Sequence, residues 1–319
     1  MTLARQLHAS LVEQEPHRHA RARPHAPGEV RWAPAKSLFF TANALVFLAL
    51  AVPTFSWGGL AAAGATTALC LCLGHSVGLH RGLIHRTFRM HRGTAQVLAW
   101  LATLTGIGPV LRLMGMHDIR DRWQNQAWAP AYYAYDHGWV RDFWWYLHCQ
   151  HHPRAGDLAP EIPADHAADP VLAWLDRTWM WQQLPVALAL YAGLGWGGVV
   201  WAVCGRVFVS SVGHWLVNHV CHTRGTRRYA IDGSGEEGRN NLLFGALSMG
   251  EGWHNNHHAW PDSARFGVAW YEVDPGWLAL RGMAALGLAW DVQTQETVAL
   301  RETARRVGDP ADETGARAA

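Results

Sequence analysis

Residues 37–79 contain no Asp, Glu, Lys or Arg, and no other property of the chain restricts its fold as strongly. The first half, Ser37 to Trp57, includes Leu38, Phe39, Phe40, Leu45, Val46, Phe47 and Leu48. It meets the length of about 20 residues that a helix needs to cross a bilayer. The second half, Gly58 to Leu79, follows at once. Gly58 and Gly59 mark a turn, so spans 37–57 and 58–79 read as a transmembrane hairpin with a very short far loop and both ends on one side.

A second hairpin is expected between Trp179 and Leu216, with spans at about 179–196 and 198–217. Leu184–Gly195 and Val199–Val212 are apolar, and Gly193, Gly195, Gly197 and Gly198 supply the turn. Arg206 interrupts the last span, where it faces the bundle interior or reaches toward the interface. A further apolar stretch, Thr94 to Leu111, is broken by Gly106, Gly108 and Pro109 and reads as an interfacial or re-entrant helix. The expected fold is therefore an all-α integral membrane protein with four spans in two hairpins. Composition agrees, with 50% hydrophobic and only 16% charged residues, against about 25% charged in an average soluble domain.

Arg5, Arg18, Arg21, Arg23, Arg31 and Lys36 precede the first span, and Arg81, Arg86, Arg89 and Arg92 follow the second. The far loops carry no charge. By the positive-inside rule both termini and the basic side face the cytoplasm, which places the chain in an inner or plasma membrane. A formal charge of +2 gives no case for nucleic acid as a partner, and no P-loop or dinucleotide glycine pattern is present. Met1–Pro34 lacks the apolar core of a signal peptide. Residues 1–36 read as a flexible cytoplasmic tail, 37–300 as one membrane domain, and 301–319 as a disordered C-terminal tail. The five cysteines form no CxxC pair, and no disulfide framework is indicated.

Histidines mark the chemistry. His254, His257 and His258 fall at i, i+3 and i+4 and share one helical side, which suits metal ligation better than burial of unpartnered imidazoles. His80 and His85 end the second apolar run. Five residues apart, they align badly on a continuous helix, and Gly82 offers a bend that brings them together. Asn218 and His222, at i and i+4, lie at the end of the fourth span. His75 and His214 read either as support for this site or as hydrogen-bonded core residues. His8, His17, His19 and His25 lie in the polar tail and need no ligand.

Together these positions resemble the integral-membrane fatty acid desaturases, the stearoyl-CoA desaturase type in particular, whose histidine boxes hold two irons at the cytoplasmic surface. His80–His85 is similar to the first box and His254–His258 to the third. Asn218-x-x-x-His222, Arg239-Asn240-Asn241 and Gly250-Glu251-Gly252 are similar to family runs as well, so the resemblance covers roughly residues 37–270. It implies that His80, His85, His222, His254, His257 and His258 ligate iron, that Asn218 holds a metal-bound water, and that a histidine-lined helical cap faces the cytoplasm.

The second box has two candidates. His148-Cys149-Gln150-His151-His152 fits HxxHH by letter but lies much further from His85 than the family's box does. At the family spacing stands His117-Asp118-Ile119-Arg120-Asp121, in which Arg120 and Asp121 replace two histidines. We take the His117 register because it keeps the family-like distance to the third span. Asp121 then ligates iron, since carboxylate and imidazole together suit non-haem iron, or pairs with a neighbouring arginine.

The implied activity is O2-dependent desaturation of a long acyl chain, acyl-CoA foremost, by a di-iron centre. The chain would lie in a narrow apolar tunnel. Electrons would come from a separate ferredoxin- or haem-type carrier and its reductase, because no fused donor domain is recognisable. Most of the 19 tryptophans read as interface anchors or core. The basic face is a candidate dock for a carrier or a thioester headgroup, although the positive-inside rule explains it unaided. Two other readings stand beside this one: a membrane di-iron hydroxylase, and a non-catalytic metal-binding or lipid-scaffold protein.

Overall fold

The computed structural model describes residues 28–135, 137–154, 158–235 and 238–307; His8, His17, His19 and His25 lie outside them. The chain is mostly helical. Pro34 opens the first helix, Pro34–Leu50, at a position where its missing N–H is no loss. Ser56 caps the next helix by accepting from the Gly59 N–H at 3.0 Å. That helix, Trp57–Leu69, runs directly into a wider π-helical segment, Cys70–Ile84, and the two form one apolar rod of 28 residues.

The second long apolar segment, Gln183–Thr223, has 41 residues but is not one rod. Gly195 sits at φ 61°, ψ −154°, a conformation open essentially to glycine alone. The chain doubles back there. A Cβ placed on Gly198 would lie 2.8 Å from the Leu190 carbonyl, whereas residues eight apart in a straight helix are about 12 Å apart. The first turn lies between Leu50 and Trp57, so Gly58 and Gly59 stand in the helix that follows and not in the turn expected of them. The two turns meet nonetheless, since a Cβ on Gly197 would lie 2.8 Å from the Thr54 carbonyl and one on Gly59 2.9 Å from the Gly197 carbonyl. Both helix pairs thus turn at one end of the molecule, and the histidines gather at the other. Leu38, Leu45, Leu48, Leu188 and Trp196 point outward, with Trp57 78% exposed. Outward apolar side chains in such number suit a lipid surroundings better than water.

The stretch from Thr94 to Leu111 forms a helix at Arg92–Leu104, with Leu98, Ala99, Ala102 and Leu104 buried. It packs on the π-helical segment, where Gly74 and Gly78 allow the approach. A Cβ on either would come within 2.5 Å of Ala102 N or Leu98 Cβ, which is the small-residue contact that lets membrane helices close up. Arg206 faces the interior. Its Nε donates to the Leu104 carbonyl at 3.0 Å and its Nη2 to Gln183 Oε1 at 2.7 Å, so the charge ties the third and fourth long helices to Arg92–Leu104.

Two expectations need correction. The fold is not purely α: Glu29–Trp32 pairs with Cys149–His152, Arg89–Met90 with Ala289–Trp290, and Tyr229–Ile231 with Ala304–Arg306, all antiparallel. The chain ends are also more ordered than loose tails at both inner boundaries. Residues 29–36 form a strand and a helix start. Residues 301–306 are fastened by the last ladder and by the Arg301 N–H to the Ala259 carbonyl at 3.1 Å.

Candidate metal centre and active site

His80 and His85 are brought together by the helix itself. In a π-turn the N–H of residue i+5 reaches the carbonyl of residue i, and the His85 N–H does so to His80 at 3.0 Å. The two rings meet edge to face, 4.9 Å between centroids. Gly82 is therefore not the bend expected from sequence. It is a close-approach site, since a Cβ there would lie 2.6 Å from Met90 Cε.

His117, on the helix Val110–Gln124, turns its Nε2 to within 3.0 Å of His80 Nε2. His257 completes this group, its ring 4.7 Å from His80 and 4.6 Å from His85. His222, His254 and His258 form a second group, with Nε2–Nε2 distances of 2.9 Å for His222–His254 and 3.1 Å for His254–His258. Within each group the ligand nitrogens all lie inside 4.8 Å of one another. The third motif is thus shared: His254 and His258, one helical turn apart, serve one group, while His257 points about 100° away from His258 into the other.

The short helix His254–Ala259 is anchored by the two asparagines between its histidines. Asn255 Oδ1 accepts from the N–H groups of Arg228 and Tyr229 at 2.7 and 2.8 Å, and its Nδ2 donates to the carbonyls of Tyr229 and Gly238, both at 2.9 Å. Asn256 bonds Asn240, Phe266 and Glu272. Both amides bind away from the imidazoles and leave these free to converge. Sequence reasoning passed over them, although a buried Asn pair inside a histidine run was a visible signal.

Two carboxylates stand behind the first group. Glu251 Oε2 faces His80 Nδ1 at 2.5 Å, and Glu251 Oε1 accepts from Ser76 Oγ at 2.5 Å and Arg81 Nη1 at 3.3 Å. Arg81 is fully buried and pairs with both Asp274 oxygens at 2.9 and 3.1 Å. Asp121 Oδ2 lies 3.2 Å from His117 Nδ1. Asp121 thus addresses the far nitrogen of His117 and is not among the converging ligand atoms.

The donor set fits a divalent cation. Burial holds His85 down to a pKa of about 4 and His254 to about 3; His117, His257 and His258 are likewise held well below the ordinary imidazole value by burial. The Arg120 cation adds to the effect at His117 and His254. These rings are therefore neutral, with lone pairs to offer. His85 Nε2 and His257 Nδ1 are buried without a hydrogen-bond partner, an expensive state for polar atoms unless a ligand meets them. A transition metal bonded to nitrogens at about 2.1 Å has neighbouring nitrogens about 3 Å apart, as seen here.

The literal HxxHH run joins neither group. His151 Nδ1 meets Tyr133 OH at 3.0 Å, His148 Nδ1 meets Ser37 Oγ at 2.8 Å, and His152 is exposed. Cys149–His152 is a strand, where the i, i+3, i+4 spacing does not gather side chains. Asn218 accepts from Arg120 Nη1 at 2.7 Å and donates to the His214 carbonyl at 2.8 Å. His75 and His214 pack at 4.5 Å between rings, and Tyr146 OH bonds His214 Nδ1. Tyr135, unmentioned by sequence reasoning, stacks on His222 at 4.4 Å and 8° from a left-handed backbone at φ 53°.

A cavity of about 150 Å3 opens on His80, His117, His254, Asn218 and Arg120. A larger apolar cleft of about 560 Å3 runs between Phe47, Leu60, Leu71, Trp201, Val209 and Phe244. Both are bounded by His75, His214, Val217 and Glu251, so the apolar space abuts the histidine end.

Residues 55–293 match the fatty acid desaturase family model. This chain belongs to the fatty acid desaturase family. It is accordingly an oxidoreductase of lipid metabolism. Curated relatives include an sn-1 stearoyl-lipid 9-desaturase of Anabaena variabilis, 32% identical over 83% of this chain and 94% of that protein. Another is an acyl-CoA C20 Delta5-desaturase of Anemone leveillei, 27% identical over 83% of each. An sn-2 palmitoyl-lipid 9-desaturase of Nostoc sp. is 31% identical over 76% of this chain and 86% of its own length. In this desaturase the matched residues include both histidine groups and, Phe47 apart, the lining of the apolar cleft.

Proposed function

We propose that this desaturase binds two irons, one among His80, His85, His117 and His257 and one among His222, His254 and His258, and removes two hydrogens from a long acyl chain lying in the apolar cleft. The carrying observation is the convergence of seven neutral imidazoles in two groups beside an apolar space of about 560 Å3, within the size range of small-molecule sites. Iron held there supplies, with dioxygen and two electrons, an oxidant strong enough for an unactivated methylene. The protein's own part is positional. Phe47, Leu60 and Val209 exclude water and hold the chain extended, and Glu251 and Asp121 fix the ring orientation of His80 and His117.

The meeting of the two helix turns at one end, with Arg81, Arg86 and Arg120 near the other, supports four spans with both termini and the histidines on the cytoplasmic side. Electrons enter from a separate carrier of ferredoxin or haem type. The acyl group arrives as a thioester of coenzyme A or as a membrane lipid, since the relatives above include both kinds. The test is purified protein in detergent or vesicles, supplied with iron, a ferredoxin and reductase, and either stearoyl-CoA or a stearoyl phospholipid. An unsaturated product with one of the two, lost in His257→Ala together with iron, is the expected result. A hydroxylated product, or turnover unaffected by His257→Ala, overturns the reading.

A further inference from the structure

Arg120 and Asp121 stand where the family's second box carries histidines, and they form an ion pair at 3.3 Å whose two ends point to different groups. The carboxylate lies on the His117 side, 3.2 Å from Nδ1. The guanidinium lies on the side of the helix Arg206–Thr223, donating to Asn218 Oδ1 at 2.7 Å one turn before His222. Asn218 is occupied at both ends, because its Nδ2 donates to the His214 carbonyl at 2.8 Å; Tyr135 OH also approaches its Oδ1 at 3.5 Å. The amide oxygen that would hold a metal-bound water is thus engaged by a cation.

We propose that Arg120 makes the two metal positions unequal: the four-histidine position fills first and tightly, and the three-histidine position holds its metal weakly. The inference rests on the metal-enzyme reading above. At the first position four imidazoles converge, and Glu251 and Asp121 behind two of them raise ligand basicity. At the second, three imidazoles converge among the described residues and the arginine stands in place of a further nitrogen donor; its positive charge is felt in both groups, but on the first side the Asp121 carboxylate beside His117 offsets it. Arg120 is a positioning residue for the metal here, acting through charge and through Asn218.

The full chain, stripped of metal in detergent, is titrated anaerobically with Fe(II), then challenged with a chelator. The wild-type protein should retain one iron per chain and release the second at an affinity lower by about 10-fold or more. Arg120→His should retain two. Arg120→Gln, which removes the charge without adding a donor, should tighten the second equivalent only partly. His257→Ala should abolish the retained equivalent and leave the weak one. Two equivalents of equal affinity in the wild type, or an Arg120→His protein of unchanged thermal stability that still retains one, overturns this inference and leaves the metal-enzyme reading standing. A wild-type chain that binds no iron overturns both.

Discussion

His80 and His117 meet through their Nε2 atoms, 3.0 Å apart, while each turns its Nδ1 to a carboxylate, Glu251 at 2.5 Å and Asp121 at 3.2 Å. The carboxylates accept the Nδ1–H, which fixes the tautomer and leaves each Nε2 lone pair facing its counterpart. Two facing lone pairs repel unless a cation or proton sits between them. The sequence distance between His80 and Glu251 conceals this pairing completely.

Glu251→Gln should therefore lower metal affinity by roughly 10- to 100-fold, the usual range for loss of such a backing group. It should also lower the unfolding temperature, since Arg81 is buried and would lose one of its two anionic partners. Asp121→Asn should show the affinity loss with a smaller effect on unfolding, because Asp121 is partly exposed. Metal analysis and calorimetry on the two variants separate the effects. Equal metal retention in Glu251→Gln and wild type would show that the carboxylate does not act through His80.

Replacement of the second-box candidates gives opposite expectations. His117→Ala removes one of four converging imidazoles and should abolish iron retention at the first position, with loss of desaturation. The double variant His151→Ala, His152→Ala removes the Tyr133 contact and should keep its metal while losing some stability, on the order of 1–2 kcal/mol from the broken buried hydrogen bond. Iron loss in the double variant with retention in His117→Ala would reverse the assignment.

Much of the architecture was legible because it follows from composition along the chain. Charge-free runs gave the long helices, and the glycines from Gly193 to Gly198 gave the second turn; the first lies between Leu50 and Trp57, ahead of Gly58 and Gly59. The histidine pairs at i and i+4 were legible for the same reason, as periodicity alone places them on one face. What stayed hidden depends on partners distant in sequence or on an unusual backbone. His80 and His85 meet through a π-turn, whose five-residue closure leaves no compositional mark. His148–His152 carries the letters of a metal box, yet His148 ends a helix and pairing with Glu29–Trp32 makes Cys149–His152 a strand. Arg206 looked like a flaw in an apolar span until Gln183 and the Leu104 carbonyl supplied its contacts.

The low pKa values of the imidazoles set an acid limit. For His85 and His254 the folded-state values, about 4 and about 3, lie below the ordinary 6.5. The unfolded chain therefore binds more protons between these limits, and stability falls as pH drops. The metal-free protein should hold a constant unfolding temperature above about pH 7 and lose it progressively from pH 6.5 toward pH 4. Above pH 6.5 metal binding should release few protons from these rings, as calorimetry in buffers of different ionisation enthalpy would measure. An unfolding temperature flat down to pH 4 would mean that the rings are not buried neutral.

Two glycines test whether the acyl chain lies in the cleft. Gly64 and Gly213 both line it, and a Cβ added to either meets nothing within 4 Å. A side chain at these positions extends into the cleft and not into neighbouring helices. Both residues are helical, so replacement also removes the backbone entropy penalty of glycine, worth up to about 1 kcal/mol. Gly213→Leu and Gly64→Leu should thus fold at least as stably as the wild type and retain their metal, since neither residue is among the converging ligands. The space removed should show in the products. Longer acyl chains should lose turnover first, and the preferred length should shift downward by the few methylenes that a leucine side chain displaces. Gas chromatography of the unsaturated products from mixed chain lengths gives the readout. An unchanged length profile in both variants, with iron retained, would mean that the acyl chain does not lie in this cleft.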